Sequence, residues 1–207
     1  LKKQFKSNKI NILKKAPNQK EMKTFDIIIF AVKPQNANDV LNEYENFELK
    51  KNVLIGSIIA GKKINFFKKR IKNTNQFVRI MPNMPALIRN GISCFVSRSN
   101  LSLSNKKKLN ELFLQVGKTV WLKSENQIDK ATAVSGSGPG YIFTLIHAFE
   151  KAAQKLGFSK SQSRDLISST MLGSILLMQE TRKEPNKLAK EIAVKGGTTE
   201  AGIKNLQ

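Results

Sequence analysis

The segment VKGGTTEAG (194–202) contains residues whose types and spacing suit the binding of an anion. Four of them fall at the start of the second of two predicted helices: Gly196, Gly197, Thr198 and Thr199. Free backbone N–H groups and the helix dipole favour an anion such as a carboxylate at that place, and Lys195 adds positive charge beside it. The alternative is a plain helix break that the threonines cap. The spacing alone leaves both interpretations open.

A second glycine-rich stretch, AVSGSGPGY (133–141), resembles the turns that hold nucleotide phosphates. A dinucleotide-binding turn reads G-x-G-x-x-G directly after a strand. Here the third glycine, Gly140, comes one position early, and the preceding DKATAV has a helical pattern. Pro139 suits the first turn of a helix, where its missing N–H is not needed. We therefore predict a tight junction between two helices, where glycines let backbones approach closely.

Few other side chains suggest chemistry. The chain has one histidine, His147, and one cysteine, Cys94, which are too few soft ligands for a zinc site. We expect His147 to be a packed or interface residue and Cys94 to be buried and inert. A single cysteine fits a reducing cytoplasm, and the apolar run IIIFAV (27–32) is far shorter than the about 20 residues that span a bilayer. The expected location is cytoplasmic, without a membrane partner.

The formal net charge of +21 raises the question of a nucleic-acid partner. The excess comes from 30 lysines against 6 arginines, whereas proteins that read phosphates and bases rely on the bidentate arginine. The lysines are scattered, in runs no longer than KKK (106–108), with few aromatic residues among them. The compositional drift expected of an A+T-rich genome explains this pattern better, so we expect no nucleic-acid partner.

The elements that would position these residues change in kind along the chain. Up to about residue 122, helical patterns alternate with runs typical of buried strands: DIIIFAV (26–32), NVLIGSIIAG (52–61), QFVRIMPNMP (76–85), GISCFVSR (91–98) and KTVWL (118–122). This alternation predicts an α/β domain with a doubly wound, mostly parallel sheet. NKINIL (8–13) suggests one further strand at its edge.

After about residue 123 no strand pattern returns, and the long helical patterns are apolar over much of their circumference. SKSQ (159–162) is a capping box that predicts a helix start. Helices apolar on most sides are buried, often against a partner subunit. The sequence thus predicts two domains, an α/β domain over 1–122 and an all-helical domain over 123–207.

Five segments, in this order, resemble pyrroline-5-carboxylate reductase, an enzyme family of proline biosynthesis: FAVKPQ (30–35), SIIAG (57–61), RIMPNMPALIRNG (79–91), DKATAVSGSGPGYIF (129–143) and VKGGTTEAGI (194–203). The resemblance covers nearly the whole chain, and SGSGPGY together with KGGTTEAG is highly specific. It implies that residues 1–122 are an incomplete Rossmann-type NAD(P)-binding domain and that 123–207 form an all-α dimerisation and substrate-binding domain. A homo-oligomer, at least a dimer through the helical domain, is implied as well.

The implied reaction is the reduction of 1-pyrroline-5-carboxylate to L-proline by hydride transfer from NADPH or NADH, the last step of proline biosynthesis. The family motif implies that the Thr199 hydroxyl hydrogen-bonds the ring nitrogen of the substrate, with Thr198 beside it. Two stretches would contact the cofactor. They are Ala31, Val32, Lys33 and Pro34, near its ribose and phosphates, and Ile58, Ile59 and Ala60, which line the nicotinamide through backbone contacts.

The chain departs from the family pattern at several points. The G-x-G-x-x-G turn is absent, so we expect roughly forty residues of a Rossmann fold before Leu1. At the other end, we expect the final helix to continue beyond GIKNLQ. The chain by itself should then bind dinucleotide poorly and catalyse little. VKGG stands where many members have Ser-Pro-Gly-Gly, which leaves Lys195 to compensate for a lost hydroxyl. The alternatives are another reductase with a Rossmann and a helical domain, acting on a different small substrate, and a basic nucleic-acid-binding protein.

Overall fold

A computed structural model describes residues 17–99 and 101–206. They fall into two compact units, of which the first ends at Pro139 and the second begins at Gly140. The strand expected at 8–13 lies outside the described residues. Within the described part of the chain, none of the helices combines the length and hydropathy that a bilayer span requires.

The first unit is built on a five-stranded sheet. Its strands are β1 (Ile27–Phe30), β2 (Leu54–Ser57), β3 (Gln76–Pro82), β4 (Gly91–Val96) and β5 (Gly117–Trp121), side by side in that order. β1, β2 and β3 are parallel to one another, β4 is antiparallel to β3, and β5 is parallel to β4. The mostly parallel α/β sheet is therefore confirmed, and the reversal at β4 is a feature that the apolar patterns did not predict.

Short helices connect and cover the strands. The α-helices of this unit are α1 (Gln19–Met22), α2 (Ala37–Tyr44), α3 (Ile64–Lys68), α4 (Leu103–Leu114) and α5 (Glu125–Ala131). Two 3₁₀ turns span Pro34–Asn36 and Met84–Ile88, and α5 continues into a π-helical segment over Thr132–Gly136. Each described strand that was predicted is present: β1 to β4 have shorter bounds than predicted, because flanking residues belong to loops, and β5 keeps its predicted length but begins one residue earlier.

Both faces of the sheet are covered, which explains the continuous apolar runs. One face places Phe30, Ile55 and Phe77 against Leu41 of α2 and Phe67 of α3. The opposite face packs on α4 through the buried side chains Leu54, Val78, Ile80, Phe95, Leu109 and Phe113. Successive residues of a strand point to opposite faces, so a strand buried on both sides is apolar at most positions in succession.

A close approach between two glycines joins β4 to β5. Gly117 has φ +141°, and a Cβ at this position would lie 2.0 Å from the carbonyl oxygen of Gly91. A Cβ on Gly91 would in turn lie 2.7 Å from the backbone of Ala86. A larger residue would collide with β4 at position 117 and with the Met84–Ile88 turn at position 91, so both positions require glycine.

The second unit is helical. Its elements are α6 (Gly138–Lys155, which starts two residues before the unit), α7 (Lys160–Thr181), α8 (Pro185–Ile192) and α9 (Thr198–Leu206). The predicted capping box is present, because Ser159 accepts from the Gln162 N–H while the Gln162 side chain accepts from the Ser159 N–H. Among residues 140–206 only Ala153 and Ser163 are buried.

Large apolar side chains of α6 and α7 are consequently exposed. They include Tyr141, Phe143, Leu172, Leu176 and Leu177, each at least half exposed. A monomer rarely leaves so much apolar surface uncovered, which agrees with the expectation that these helices meet a partner. The division into domains at 122/123 stays a prediction, since α5 and the π-helical segment pack with the first unit.

Candidate functional site

The two stretches predicted to contact a cofactor meet at the carboxyl ends of β1 and β2. Ala31–Lys33 follow β1, Pro34 starts the 3₁₀ turn, and Ile58–Ala60 follow β2. The strands are parallel neighbours with Phe30 opposite Ser57, and the Ile58 N–H donates to the Phe30 carbonyl oxygen at 3.0 Å. In open α/β sheets, ligands bind outside the carboxyl ends of the strands. The structure thus brings these seven residues together at one edge.

The residues of this edge differ in what they offer to a ligand. Ala31, Lys33 and Ala60 are exposed, whereas the Ile59 side chain is buried in the core at 3% exposure. The Ile59 N–H donates to Ser57 Oγ at 3.2 Å, and its carbonyl oxygen accepts from the Lys62 N–H. Ile59 therefore anchors the loop.

A glycine lies on each side of the second stretch. A Cβ on Gly56 would lie 3.2 Å from Ile80 Cδ1 and 3.3 Å from Ile29 Cγ1, so a larger residue would make these two side chains shift by a few tenths of an ångström. Gly61 has φ +73° with open space around it and turns the chain toward α3. The loop between these glycines is held to the end of the sheet by the hydrogen bond from Ile58 to Phe30 and by the buried side chain of Ile59.

The predicted anion-binding loop joins α8 to α9. Gly196 has φ +79°, and the Gly197 N–H donates to the Val194 carbonyl oxygen at 2.9 Å, which closes a tight turn. The Ala201 N–H donates to the Gly197 carbonyl oxygen at 3.2 Å as the first hydrogen bond of α9. The N–H groups of Thr198 and Thr199 therefore precede that bond and have no acceptor inside the helix.

The side chains of this loop are accessible. Lys195 and Thr198 are exposed and Thr199 is partly buried. Within residues 17–99 and 101–206, the two threonine hydroxyls have no hydrogen-bond partner, so they are free to contact a ligand. The five predicted residues lie together in one turn of the second unit, and the seven residues of the sheet edge belong to the first unit.

Glu200 is a member of this loop that the sequence analysis missed. Its Oε2 accepts from the Gly196 N–H at 2.8 Å, and its Oε1 lies 3.4 Å from Lys204 Nζ. The N–H of Gly196 is thus already bound to a carboxylate of the protein itself. The i, i+4 spacing of Gly196 and Glu200 is visible in the sequence and was the available signal.

The junction around SGSGPGY is tight at only one of its glycines. A Cβ on Gly136 would lie 3.1 Å from Met81 Cε, whereas Gly138 and Gly140 have no atom within 4 Å of a Cβ position. The atoms near Gly136 belong to side chains, and Gly138 and Gly140 lie in the first turn of α6, so the prediction of close backbone approach is wrong at these glycines. The segment follows a helix, as predicted, so the geometry of a strand-to-helix phosphate turn is absent here.

A buried ion-pair network in the first unit was also missed. Arg79 of β3 lies 2.7 Å from Asp129 Oδ1 through Nη2 and 4.0 Å from Glu125 Oε1 through Nη1. Glu125 Oε1 accepts from the Ile64 N–H at 2.8 Å, and Glu125 Oε2 lies 3.4 Å from Arg98 Nε. The sequence separations, 50 residues for Arg79 and Asp129, explain why no local pattern revealed it.

Comparison with known proteins identifies the family. The family model for pyrroline-5-carboxylate reductase dimerisation matches residues 125–207. The chain is 34% identical to a pyrroline-5-carboxylate reductase of Aquifex aeolicus over 182 residues. This alignment covers 88% of this chain and 67% of that protein. The Arabidopsis thaliana enzyme is 31% identical, over 98% of this chain and 72% of that protein.

This chain belongs to the pyrroline-5-carboxylate reductase family. A solved pyrroline-5-carboxylate reductase of Coxiella burnetii superimposes with a TM-score of 0.84 at 30% identity, over 93% of this chain and 71% of that one. The Plasmodium falciparum pyrroline carboxylate reductase, solved with NADP bound, gives 0.82 at 31% identity, over 93% and 72%. The chain spans about two thirds of the length of its curated pyrroline-5-carboxylate reductase relatives, namely 66%, 64% and 67% for three of them.

Proposed function

We propose that this protein reduces 1-pyrroline-5-carboxylate to L-proline with a hydride from NADPH or NADH. Family membership carries the proposal, and the two ligand-accessible surfaces support it. The reaction converts C=N to CH–NH, so a hydride adds to the imine carbon and a proton is needed on the ring nitrogen. The protein must hold the carboxylate, orient the ring and keep a hydrogen-bonding group at the nitrogen.

The edge formed by Ala31–Pro34 and Ile58–Ala60 would hold the dinucleotide. The two loops are adjacent, expose backbone, and carry the exposed cation Lys33, which suits a ribose and its phosphates. The relative from P. falciparum with NADP bound supports this class of cofactor. When bound, a reduced nicotinamide supplies the hydride. The residues of this chain contribute the placement, since Ile59 anchors the second loop in the core and fixes the backbone of Ile58 and Ala60.

The loop Lys195–Thr199 would bind the substrate carboxylate. The N–H groups of Thr198 and Thr199 have no acceptor within α9, and the start of a helix favours an anion. Lys195 would add charge from solvent, and Gly196 and Gly197 would supply the tight turn. Thr199 is the residue we assign to catalysis, because its free hydroxyl would hydrogen-bond the ring nitrogen and stabilise the protonated imine that accepts the hydride.

We further propose a homo-oligomer, at least a dimer, that acts in the cytoplasm without a nucleic-acid or membrane partner. The exposed apolar side chains of α6 and α7 lie within the residues that match the dimerisation family model. Burying them against a second copy removes the apolar surface from water, which is the main driving force of such association.

The experiment is a turnover assay on the protein expressed from its native reading frame. We expect reduced nicotinamide to be oxidised only when the imine is supplied, and proline to form in equal amount. Omitting the imine, and replacing it by an open-chain aldehyde without nitrogen, are the controls. Absence of imine-dependent oxidation with either NADPH or NADH would overturn the proposal, and turnover of another imine or carbonyl compound would reassign the substrate. A gel-shift assay at low salt, where phosphate binding is strongest, should show no retardation of DNA or RNA.

A further inference from the structure

Arg79 lies at the centre of the sheet, next to the strand that carries the second cofactor loop. It pairs in register with Ser57, the last residue of β2, and its side chain is 6% exposed. Ile58–Ala60 follow Ser57 directly. A buried guanidinium is thus placed beside the edge proposed to hold the cofactor.

The partners of Arg79 both come from α5. Nη2 lies 2.7 Å from Asp129 Oδ1, whereas Nη1 is buried and, among the described residues, makes no hydrogen bond, with Glu125 Oε1 at 4.0 Å. The Glu125 side chain is equally buried, at 6% exposure, and that of Asp129 is 47% exposed. One cation of β3 is therefore shared by two carboxylates one helical turn apart.

Stability alone is a poor reason for this arrangement. Removing an arginine and a glutamate from water is costly, and well-packed apolar residues of similar volume often stabilise a protein as well or better. A half-satisfied guanidinium recovers less of that cost. The network does fix the position of α5 along β3, because the Asp129 carboxylate must stay within hydrogen-bond distance of Arg79 Nη2.

The position of α5 along β3 determines where the segment that follows α5 lies at the carboxyl end of β3. α5 continues into the π-helical segment Thr132–Gly136, and Gly136 lies so close to Met81 that a Cβ would be 3.1 Å from Met81 Cε. Met81 belongs to the carboxyl end of β3, next to the carboxyl end of β2. π-helical turns within helices are frequent at functional sites. A slip of α5 by one residue would shift this segment by about 1.5 Å.

We propose that Arg79 is a positioning residue for the reduction. Through Asp129 and Glu125 it holds α5 and the π-helical segment against the carboxyl end of β3, and thereby fixes the edge at which the nicotinamide lies. The role rests on the proposed function. Arg79 touches neither cofactor nor substrate in this assignment, so its loss affects the geometry of hydride transfer more than the binding of the dinucleotide.

The test compares Asp129→Asn, Arg79→Met and Arg79→Lys, with Lys130→Met as the matched control on the exposed face of the same helix. For Asp129→Asn we expect kcat to fall by about tenfold or more, because displacements near 1 Å cost up to about a hundredfold, with the KM for NADPH within about twofold of wild type. Arg79→Lys keeps the charge and should recover part of the loss. Lys130→Met should leave kcat unchanged.

Hydrogen exchange of the 132–137 amides shows whether the effect is local, because a loss of global stability alone would also speed exchange in β2 and β3. The Ser137 N–H donates to the Thr132 carbonyl oxygen at 2.9 Å, and we expect Asp129→Asn to speed its exchange by about tenfold while β2 and β3 amides keep their protection. Wild-type exchange in that segment, or faster exchange with wild-type kcat, would overturn the proposal. If Arg79→Met does not fold, Asp129→Asn decides, because that side chain is half exposed.

The two proposals fail in different ways. If the wild-type protein does not reduce the imine, the proposed function fails, and the exchange measurement still decides whether Arg79 positions the segment. If the wild-type protein reduces the imine and Asp129→Asn has the same kcat, the proposed function stands and the positioning role of Arg79 is refuted.

Discussion

Replacing Gly117 by alanine tests the packing of β4 on β5. The new Cβ would lie 2.0 Å from the Gly91 carbonyl oxygen, whereas carbon and oxygen atoms approach to about 3.3 Å at the closest. β5 must then retreat by about 1.3 Å. The hydrogen bond from the Gly91 N–H to the Val116 carbonyl oxygen, 3.0 Å long, would be broken by such a shift.

The expected loss of stability adds two effects. Backbone strain at a positive φ costs about 1–3 kcal/mol, and overpacking with a backbone shift costs about 1–3 kcal/mol more. We therefore expect the free energy of unfolding to fall by about 4 kcal/mol. Gly61→Ala is the matched control, because Gly61 has φ +73° in the same unit but nothing within 4 Å of a Cβ; it should cost only the strain, about 1–2 kcal/mol.

Urea unfolding of the two variants and the wild type, followed by circular dichroism, measures the difference. A Gly117→Ala variant that loses about 2 kcal/mol more than Gly61→Ala supports the reasoning. Equal losses in the two variants would refute it, since they would show that the paired strands accept a methyl group where Gly91 and Gly117 lie opposite each other.

Three further predictions concern catalysis, pH and assembly. Thr199→Ala should lower kcat/KM by about a hundredfold, as loss of a preorganised hydrogen-bonding group does, while Thr199→Ser keeps most activity; an unaffected alanine variant would remove Thr199 from its role. Hydrogen bonds and ion pairs with Lys50 and Lys108 lower the pKa of Asp26 below its ordinary value of 3.8. The contribution of Asp26 to stability is therefore present above that value and is lost as the pH falls through the lowered pKa. Accordingly, urea unfolding should find wild type more stable than Asp26→Asn at neutral pH and show the gap closing at the acid end; a gap that does not shrink there would contradict the assignment. Leu172→Glu, at a position 60% exposed on α7, should shift the protein from dimer to monomer in light scattering, unlike Lys160→Glu, and a persistent dimer would exclude Leu172 from the interface.

Local patterns were sufficient for the elements of the fold. DIIIFAV and NVLIGSIIAG contain β1 and β2, because a strand buried on both faces is apolar at most positions in succession. The SKSQ capping box starts α7 where predicted, since its hydrogen bonds join residues only three apart. The loop Lys195–Thr199 was a candidate anion site from the same kind of short-range signal, glycines and threonines between two helices, whereas Ala31–Pro34 and Ile58–Ala60 were expected only from the family resemblance.

Features that depend on distant residues could not be predicted in this way. The apolar pattern of β4 does not reveal that it pairs with β3 in the antiparallel direction. A strand with both faces buried has the same pattern in either direction. The Arg79 network joins β3 to a helix 50 residues later. The hydrogen bond from Gly196 to Glu200 is a local exception: its i, i+4 spacing is visible in the sequence, but the direction of the Glu200 side chain is not.

The most direct test of the proposed function is to follow the transferred hydride itself. The protein is supplied with the imine and with NADPH that carries deuterium on the transferring face of C4, and the product is analysed by mass spectrometry. The account predicts L-proline with one deuterium on the ring carbon that was double-bonded to nitrogen. Unlabelled proline, or oxidation of the cofactor without proline, would contradict it.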